Sequence, residues 1–443
     1  MLACLTVVEV HLNLARYNNT NVLKWDVLSY YSYLPATFID KDLSLQFVKP
    51  ENNVKEGGVK YWYVEDAKGN RLLKYSMGMS VLYAPFFFMA HVLASPLGFK
   101  ADGYSAIYEF FIEFSGLFYL LFGLWYLRKL LRQFYNEKIT SITLVLIFFG
   151  TNLLYYSAVE SPMTHAYTFS LFSVFLYYVF DFYRKIRVTT IFILAICFGV
   201  MILVRPINIL LIVPLLFFKI NSWQALKDRA LFFVQHYKYS LLFVGIVGLI
   251  LLPQLLYYKY VTGNYVAFSY GKEGFFFDQF HVVDVLFSFR KGWFIYTPVM
   301  LFTMFGIWSM KKQTVHPFLM PVIVLLPLYV YIVSSWWCWW YGGSFSQRSL
   351  IDLYPLLAMP LAAFIFKLNS FTVTYKKIVL VILALLVFLN IFQTVQYKYN
   401  IIDFDGMTAK EYVQVFGTLD DEKIDTLLLD KPDYERAVLG LEK

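Results

Sequence analysis

Several short segments carry ionisable side chains where an apolar chain has little reason to keep them. Trp25-Asp26 precedes Tyr30, Tyr31 and Tyr33, and a carboxylate held among aromatic rings suits a general base that takes the proton of an attacking hydroxyl. Glu160 and His165 bracket the tight turn Glu160-Ser161-Pro162-Met163-Thr164-His165 between two apolar runs, so an acid and an imidazole would face the same cavity as Asp26. Arg205 in Val204-Arg205-Pro206-Ile207-Asn208 and Arg348 after Tyr341-Gly342-Gly343-Ser344-Phe345-Ser346-Gln347 place guanidinium groups at the ends of apolar runs. Such groups need partners, and a phosphate is bound bidentately by arginine. The glycines beside Tyr341 let backbone approach a ligand. Lys74 in Leu73-Lys74-Tyr75-Ser76-Met77-Gly78 and Arg290-Lys291 before Gly292 add further cations. Together these cations would neutralise a phosphate leaving group without a metal while the acid moves the proton. Each residue also has a plainer reading. Asp26 could cap a helix starting near Val27, Glu160 and His165 could sit in a solvated turn, and the arginines could snorkel to headgroups.

Charged residues are scarce around these groups. Hydrophobic residues make up 59% of the 443 and charged ones 15%, a composition that excludes an ordinary soluble domain. Eleven spans of about 20 residues need roughly 220 apolar positions, and 59% of 443 supplies more than that. With 45 Phe, 36 Tyr and 10 Trp, the aromatics are numerous enough for interfacial belts plus an aromatic-lined cavity. The net charge of +8 sits largely in short loops, so it reports membrane topology and not nucleic-acid binding. Cys4, Cys197 and Cys338 have no paired spacing, which leaves no disulfide framework and no zinc site. There is no P-loop, GxGxxG, HExxH or GxSxG, so ATP hydrolysis, zinc proteolysis and serine hydrolysis are disfavoured. A divalent metal or other cofactor is not indicated.

Apolar runs predict helices at 107–127, 140–158, 164–182, 189–204, 207–218, 239–258, 293–310, 317–335, 350–366 and 377–396, and with residues 1–15 that makes about eleven transmembrane helices. The first run lacks the basic start and small-residue cleavage site of a removable signal. The basic clusters 128–138, 184–187, 219–229, 311–312 and 367–377 then fall on one side, which the positive-inside rule makes cytoplasmic. Asp26, the 160–165 turn and the loops carrying Arg290, Tyr341 and Arg348 would all face outward. This arrangement requires 77–97 to be an interfacial or re-entrant segment. If 77–97 spans and 1–15 does not, Asp26 falls in the cytoplasm. Residues 16–76 read as an extracytoplasmic first-loop module, with turn signals at Lys49-Pro50 and Gly57-Gly58 and a β-like stretch at 60–64. Residues 401–443, with eleven acidic residues against five basic ones, read as an acidic, water-facing, extracytoplasmic C-terminal tail.

The order Trp25-Asp26, Lys74-Tyr75-Ser76-Met77-Gly78, Glu160 to His165, Val204-Arg205-Pro206 and Gln347-Arg348 resembles the GT-C superfamily of integral-membrane glycosyltransferases. The nearest subgroup is similar to bacterial protein O-mannosyltransferases and lipid A aminoarabinose transferases. The resemblance covers residues 1–400 and implies an all-α polytopic membrane protein of GT-C type in the bacterial inner membrane, with its active site facing the periplasm or exterior. It implies transfer of a sugar from a polyprenyl-phosphate donor to a hydroxyl acceptor on a glycan, lipid or protein, amid membrane lipids. Asp26 stands where the family carries its first-loop acid, Glu160 where a second acid occurs, and Lys74 where a lysine contacts lipid phosphate. Tyr75-Ser76 replaces the family's prolines, and a single acid stands in place of an acidic pair. A polytopic lipid or sugar transporter or flippase would also use buried arginines and an aromatic cavity, and a ligase moving preassembled glycans would share the phosphate chemistry.

Overall fold

The computed structural model describes residues 2–15, 22–49, 54–55, 61–66, 68–311 and 316–441. Pro50, Gly57-Gly58, Lys60, Lys312 and the side chain of Cys4 lie outside this description, so the turn signals of the first loop are not addressed by it. Among the described residues, Cys197 and Cys338 are free thiols in buried surroundings.

Nearly all regular structure is helical. Leu2–Leu14, Ala106–Leu131, Thr164–Arg184, Val188–Val204, Tyr237–Thr262 and Val373–Lys398 are α-helices on apolar runs. Other runs break where the backbone demands it. The 140–158 run divides at Gly150 into Glu137–Phe149 and Leu153–Ala158, and the 293–310 run divides before Pro298, which lacks the amide that would continue a helix. Pro206 likewise opens a 3-10 segment, Pro206–Ile212, ahead of Val213–Phe217. Local chemistry sets several starts: the Asn136 side chain accepts from the Ile139 amide and Thr372 from that of Tyr375, each satisfying an amide that the first helical turn leaves open. Among the described residues, shorter α-helices also arise outside the apolar runs: Trp25–Tyr31, Tyr33–Phe38, Trp223–Gln235, Val282–Phe287, Ala409–Val415 and Tyr434–Ala437.

Among the described residues, five helices are long and apolar enough to cross a membrane: Gly78–Leu97, Ala106–Leu131, Tyr237–Thr262, Arg348–Ser370 and Val373–Lys398. Four more apolar helices are shorter: Val188–Val204, Pro206–Phe217, Pro298–Met310 and Leu319–Ser334. The chain is therefore all-α in character with the helices of a membrane protein. Residues 78–97, expected along or dipping into one leaflet, form a continuous helix with a short 3-10 end whose length and apolarity also suffice for a crossing. Pro85 lies inside that helix without ending it.

Two compact units emerge, both discontinuous in sequence: Met1–Phe122, Ser157–Ile209 and Phe233–Lys272 form the first, and Gly123–Tyr156, Leu210–Phe232 and Glu273–Lys443 the second. In the first unit the module after the initial helix is ordered by two small antiparallel pairs, Val48–Lys49 with Val54–Lys55 and Tyr63–Glu65 with Arg71–Leu73, the latter in register Tyr63 to Leu73. Its own core gathers Tyr33, Ala36, Leu45, Val48, Tyr61, Leu72 and Leu73 against Tyr257 and Val261 at the end of the Tyr237–Thr262 helix. Short strands of this size cannot stand alone, so the aromatic and aliphatic packing against a helix is what holds them.

In the second unit the Tyr354–Lys367 helix is the buried element, with every residue from Tyr354 to Ala363 out of solvent. Leu301–Met310 crosses it so closely that a Cβ on Gly306 would stand 1.9 Å from the Pro360 carbonyl oxygen. Backbone cannot yield as a flexible side chain does. Gly306→Ala is expected to cost about 1–3 kcal/mol, lowering the thermal unfolding midpoint of the detergent-purified protein; an unchanged midpoint would mean these two helices separate freely.

Candidate functional site

In the first unit, three of the singled-out segments meet at one corner. The Trp25–Tyr31 helix starts with Trp25 in a left-handed backbone conformation, φ +48, after Lys24, which is extended and gives no side-chain cap. Asp26 sits in the first turn and is not the capping residue. Its carboxylate accepts a hydrogen bond of 2.9 Å from the Tyr75 hydroxyl. The Tyr75 ring lies 4.6 Å from Tyr30 and 5.8 Å from Tyr270 between centroids, and the Lys74 ammonium stands 5.7 Å and 5.9 Å from the centroids of Tyr75 and Tyr270. A cation at that distance is attracted to the ring faces, so Asp26 and Lys74 share one aromatic frame while both remain half-buried.

The frame is built from backbone outward. Strand Arg71–Leu73 carries the chain to Lys74, with the Leu73 amide donating to the Tyr257 hydroxyl at 2.9 Å and the Ser269 hydroxyl donating to the Lys74 carbonyl at 2.7 Å. Gln254 accepts the Met77 amide at 2.8 Å. The Ser76 hydroxyl donates to the Leu203 carbonyl at 2.6 Å, one of the acceptors that the end of the Val188–Val204 helix leaves open. Gly78 completes the joint, because a Cβ there would fall 2.3 Å from the Leu203 carbonyl carbon and the Val204 nitrogen. Arg205 follows directly, half-buried at the helix end, and Asn208 turns back to donate to the Met201 carbonyl at 3.0 Å. The segments Trp25-Asp26, Lys74 to Gly78 and Val204-Arg205, distant in sequence, thus meet, with a carboxylate, a phenol and the Lys74 ammonium in one frame and the Arg205 backbone at its joint.

Glu160 and His165 lie on a turn of the same unit that is joined to the Asp26 helix through Tyr83, whose ring stands 6.4 Å from that of Tyr31. The turn is pinned by Ser161, whose hydroxyl donates to the Glu113 carbonyl at 2.9 Å, and by the Tyr83 hydroxyl, which donates to the Pro162 carbonyl. His165 is buried in the first turn of Thr164–Arg184, while Glu160 is half-buried. The turn is a packed element and not a solvated loop. Glu113, within the Ala106–Leu131 helix, is fully buried, an acid that sequence reading passed over because it lies mid-run among aromatics.

The remaining cations lie in the second unit. Arg348 is half-buried at the start of the 3-10 segment Arg348–Leu353. The loop before it holds Tyr341, Gly342 and Ser346 at φ +57, +61 and +54, a strained run of the kind that persists only when surroundings over-determine it. Those surroundings are visible: Asn152 donates to the Phe345 carbonyl and accepts from the Tyr354 hydroxyl, the Tyr156 hydroxyl accepts the Phe345 amide, and Gln347 donates to the Trp339 carbonyl. Arg290 lies over the rings of Trp339 and Trp340 and is ion-paired to Asp430 at 2.9 Å.

The C-terminal segment is thus tethered at Asp430 and Phe404, while most of its residues face outward and two short helices, Ala409–Val415 and Tyr434–Ala437, form within it. Asp403 and Asp405 take the Lys431 ammonium, and Tyr434 donates to Asp405 at 3.0 Å. Burial opposes ionisation of Asp403, but Lys431 and the amides of Asp405 and Gly406 outweigh it and hold that carboxyl below its ordinary value. Lys291, noticed in the sequence only as a neighbour of Arg290, is the buried centre of this region. Its side-chain nitrogen donates to the Ser344 and Phe404 carbonyls, joining the strained loop to the C-terminal segment. Burial pushes its pKa down to about 7, against the opposing pull of Asp405 and Asp403.

Between about pH 7 and the ordinary lysine value of 10.5, the unfolded chain holds a proton on Lys291 that the folded chain has released. Raising the pH through this window therefore stabilises the folded segment, and below it the dependence vanishes. Cys338, pushed up from 9.0 to about 12 by burial, stays protonated in the folded chain while an unfolded thiol ionises, so it opposes the Lys291 contribution only above about pH 9, and the arginines stay charged. Hydrogen exchange of 401–441, corrected for intrinsic rates, is expected to show protection rising from pH 7 to pH 9, with the slope absent in Lys291→Met. No family model, no curated protein and no solved structure matches this chain.

Proposed function

We propose that this chain is a polytopic membrane glycosyltransferase of the GT-C type, moving a sugar from a polyprenyl-phosphate donor to a hydroxyl acceptor. The observation that carries the reading is the gathering of Asp26, Tyr75, Lys74 and the Arg205 segment at one corner of the first unit. In this reading about eleven helices traverse the membrane, the basic loops are cytoplasmic, and the corner faces the periplasm or exterior of a bacterial inner membrane. The five helices long enough to cross, and the four shorter apolar ones, support that placement.

The Asp26 carboxylate takes the proton of the acceptor hydroxyl, with the Tyr75 hydroxyl fixing its orientation. The acceptor oxygen attacks the anomeric carbon from the face opposite the phosphate, forming one C–O bond as the bond to the phosphate oxygen breaks. The polyprenyl phosphate leaves carrying the electron pair. Lys74 and Arg205 stabilise its developing charge, an electrostatic contribution strengthened by exclusion of water. Glu160 and His165, held in the turn that Tyr83 and Ser161 pin, shape the neighbouring wall.

Asp26→Asn is expected to lower transfer by about 10²–10⁴-fold, measured with radiolabelled lipid-linked sugar in proteoliposomes, without altering membrane insertion. Full activity in that variant would remove the base assignment. Lys74→Ala with Arg205→Ala is expected to abolish the thermal shift given by short-chain polyprenyl phosphate; retention of that shift would place the phosphate elsewhere.

One observation favours a transporter of lipids or sugars instead: Glu113 is a fully buried acid inside a helix long enough to cross the membrane, and such residues mark ion and proton paths. Cysteine labelling near Glu160 from both sides separates the two, since transport demands alternating access and the transferase reading demands access from one side.

A further inference from the structure

We infer that the acceptor of the proposed transferase is a saccharide, whose ring stacks on a Trp25–Trp62 platform beside Asp26. The inference rests on the transferase reading and adds to it the class of the acceptor. Trp25 is 70% exposed, comparable to Trp223 and Trp308, but it alone of the three adjoins the Asp26 carboxylate in the chain. It is held there by a backbone conformation that a bulky residue rarely adopts, φ +48. Its packing partner is Trp62, at a centroid separation of 5.5 Å and a tilt of 35°, at the edge of the Tyr63–Glu65 strand. Two indoles inclined in this way make a shallow apolar shelf and do not stack flat on one another.

The shelf adjoins polar chemistry. Asp26 is the next residue in the chain, oriented by Tyr75, and Lys74 completes the frame over Tyr75 and Tyr270. A pyranose has the matching surfaces: a face of C–H bonds that packs on the indole and a rim of hydroxyls for a carboxylate. A fatty alcohol would use the indoles and leave the rim unused, and a serine or threonine hydroxyl is too small to cover the shelf. Because Asp26 must reach the hydroxyl that it deprotonates, the ring bearing that hydroxyl is the one seated on Trp25.

The test uses the full chain in lipid nanodiscs and saturation-transfer NMR with four soluble trisaccharides built of glucose (α- and β-linked), mannose and N-acetylglucosamine. At least one is expected to show saturation confined to the C–H protons of one ring face. The signal should fall at least tenfold in Trp25→Ala and in Trp62→Ala and persist in Trp25→Tyr, which keeps a ring. Trp25 is exposed enough for its substitution to leave the fold intact, and an unchanged unfolding midpoint checks this. Absence of binding by all four, or binding indifferent to Trp25, overturns the saccharide assignment. So does strong quenching of Trp25 by nitroxide-labelled lipids, which would make the pair a headgroup anchor. If trisaccharides bind through Trp25 but Asp26→Asn retains transfer, the platform stands and the base assignment falls. If polyprenyl phosphate binds through Lys74 and Arg205 while no trisaccharide binds, the donor reading stands and the acceptor is of another class.

Discussion

The end of the Val188–Val204 helix presents carbonyls that no further helical turn will satisfy, and the way the first unit answers this governs its candidate site. Ser76 supplies a hydroxyl to Leu203, and Gly78, lacking a side chain, lets the next helix begin in direct backbone contact with Leu203 and Val204. Orphan carbonyls in an apolar setting are costly, so this joint is held by more than packing. It fixes where Lys74 and Tyr75 can be, hence where Asp26 finds its partner, and it leaves Arg205 as the next residue out. Enlarging Gly78 would press on backbone and displace all four groups together.

The second unit solves a different problem. Its loop before Arg348 holds three residues in left-handed conformations, two of them not glycine. That strain is held by a fully hydrogen-bonded set of Asn152, Tyr156, Tyr354 and Gln347 and by the buried Lys291. Lys291 reaches the C-terminal segment at Phe404, and Arg290 reaches it at Asp430. An acidic tail that composition describes as solvated is thereby a structural part of its unit. Charge content says only that such a segment can be exposed; ion pairs to specific cations decide where it rests.

The apolar runs were legible as helices because helix formation there needs only length and absence of charge, and the described helices fall on them. Their breaks at Gly150, Pro206 and Pro298 follow from residue chemistry as well. The 78–97 segment was less legible, since an apolar stretch of that length is compatible with lying on a membrane or crossing it. For the site, Asp26, Lys74 and Arg205 could be singled out as ionisable groups in apolar surroundings. Their partners could not. Tyr75 is one of 36 tyrosines, and Tyr270 and Trp62 are remote in sequence, so nothing local marks them. Glu113 was passed over, and Lys291 read only as one of several outer cations, because burial, the property that makes them unusual, is not a local feature.

What the sequence by itself determined is therefore the kind of chain this is: helical, apolar enough for a membrane, with a handful of misplaced charges. Those properties depend on composition and on neighbours within a few residues. Only the tertiary structure decided which charges meet, that Asp26 is paired with Tyr75 while the Glu160 turn is pinned by Tyr83 and Ser161, and that Lys291 ties a strained loop to the C-terminal segment. Such pairings depend on close backbone approach and on hydrogen-bond partners 48 to 113 residues apart, and no pattern in a linear chain encodes a distance of that kind directly.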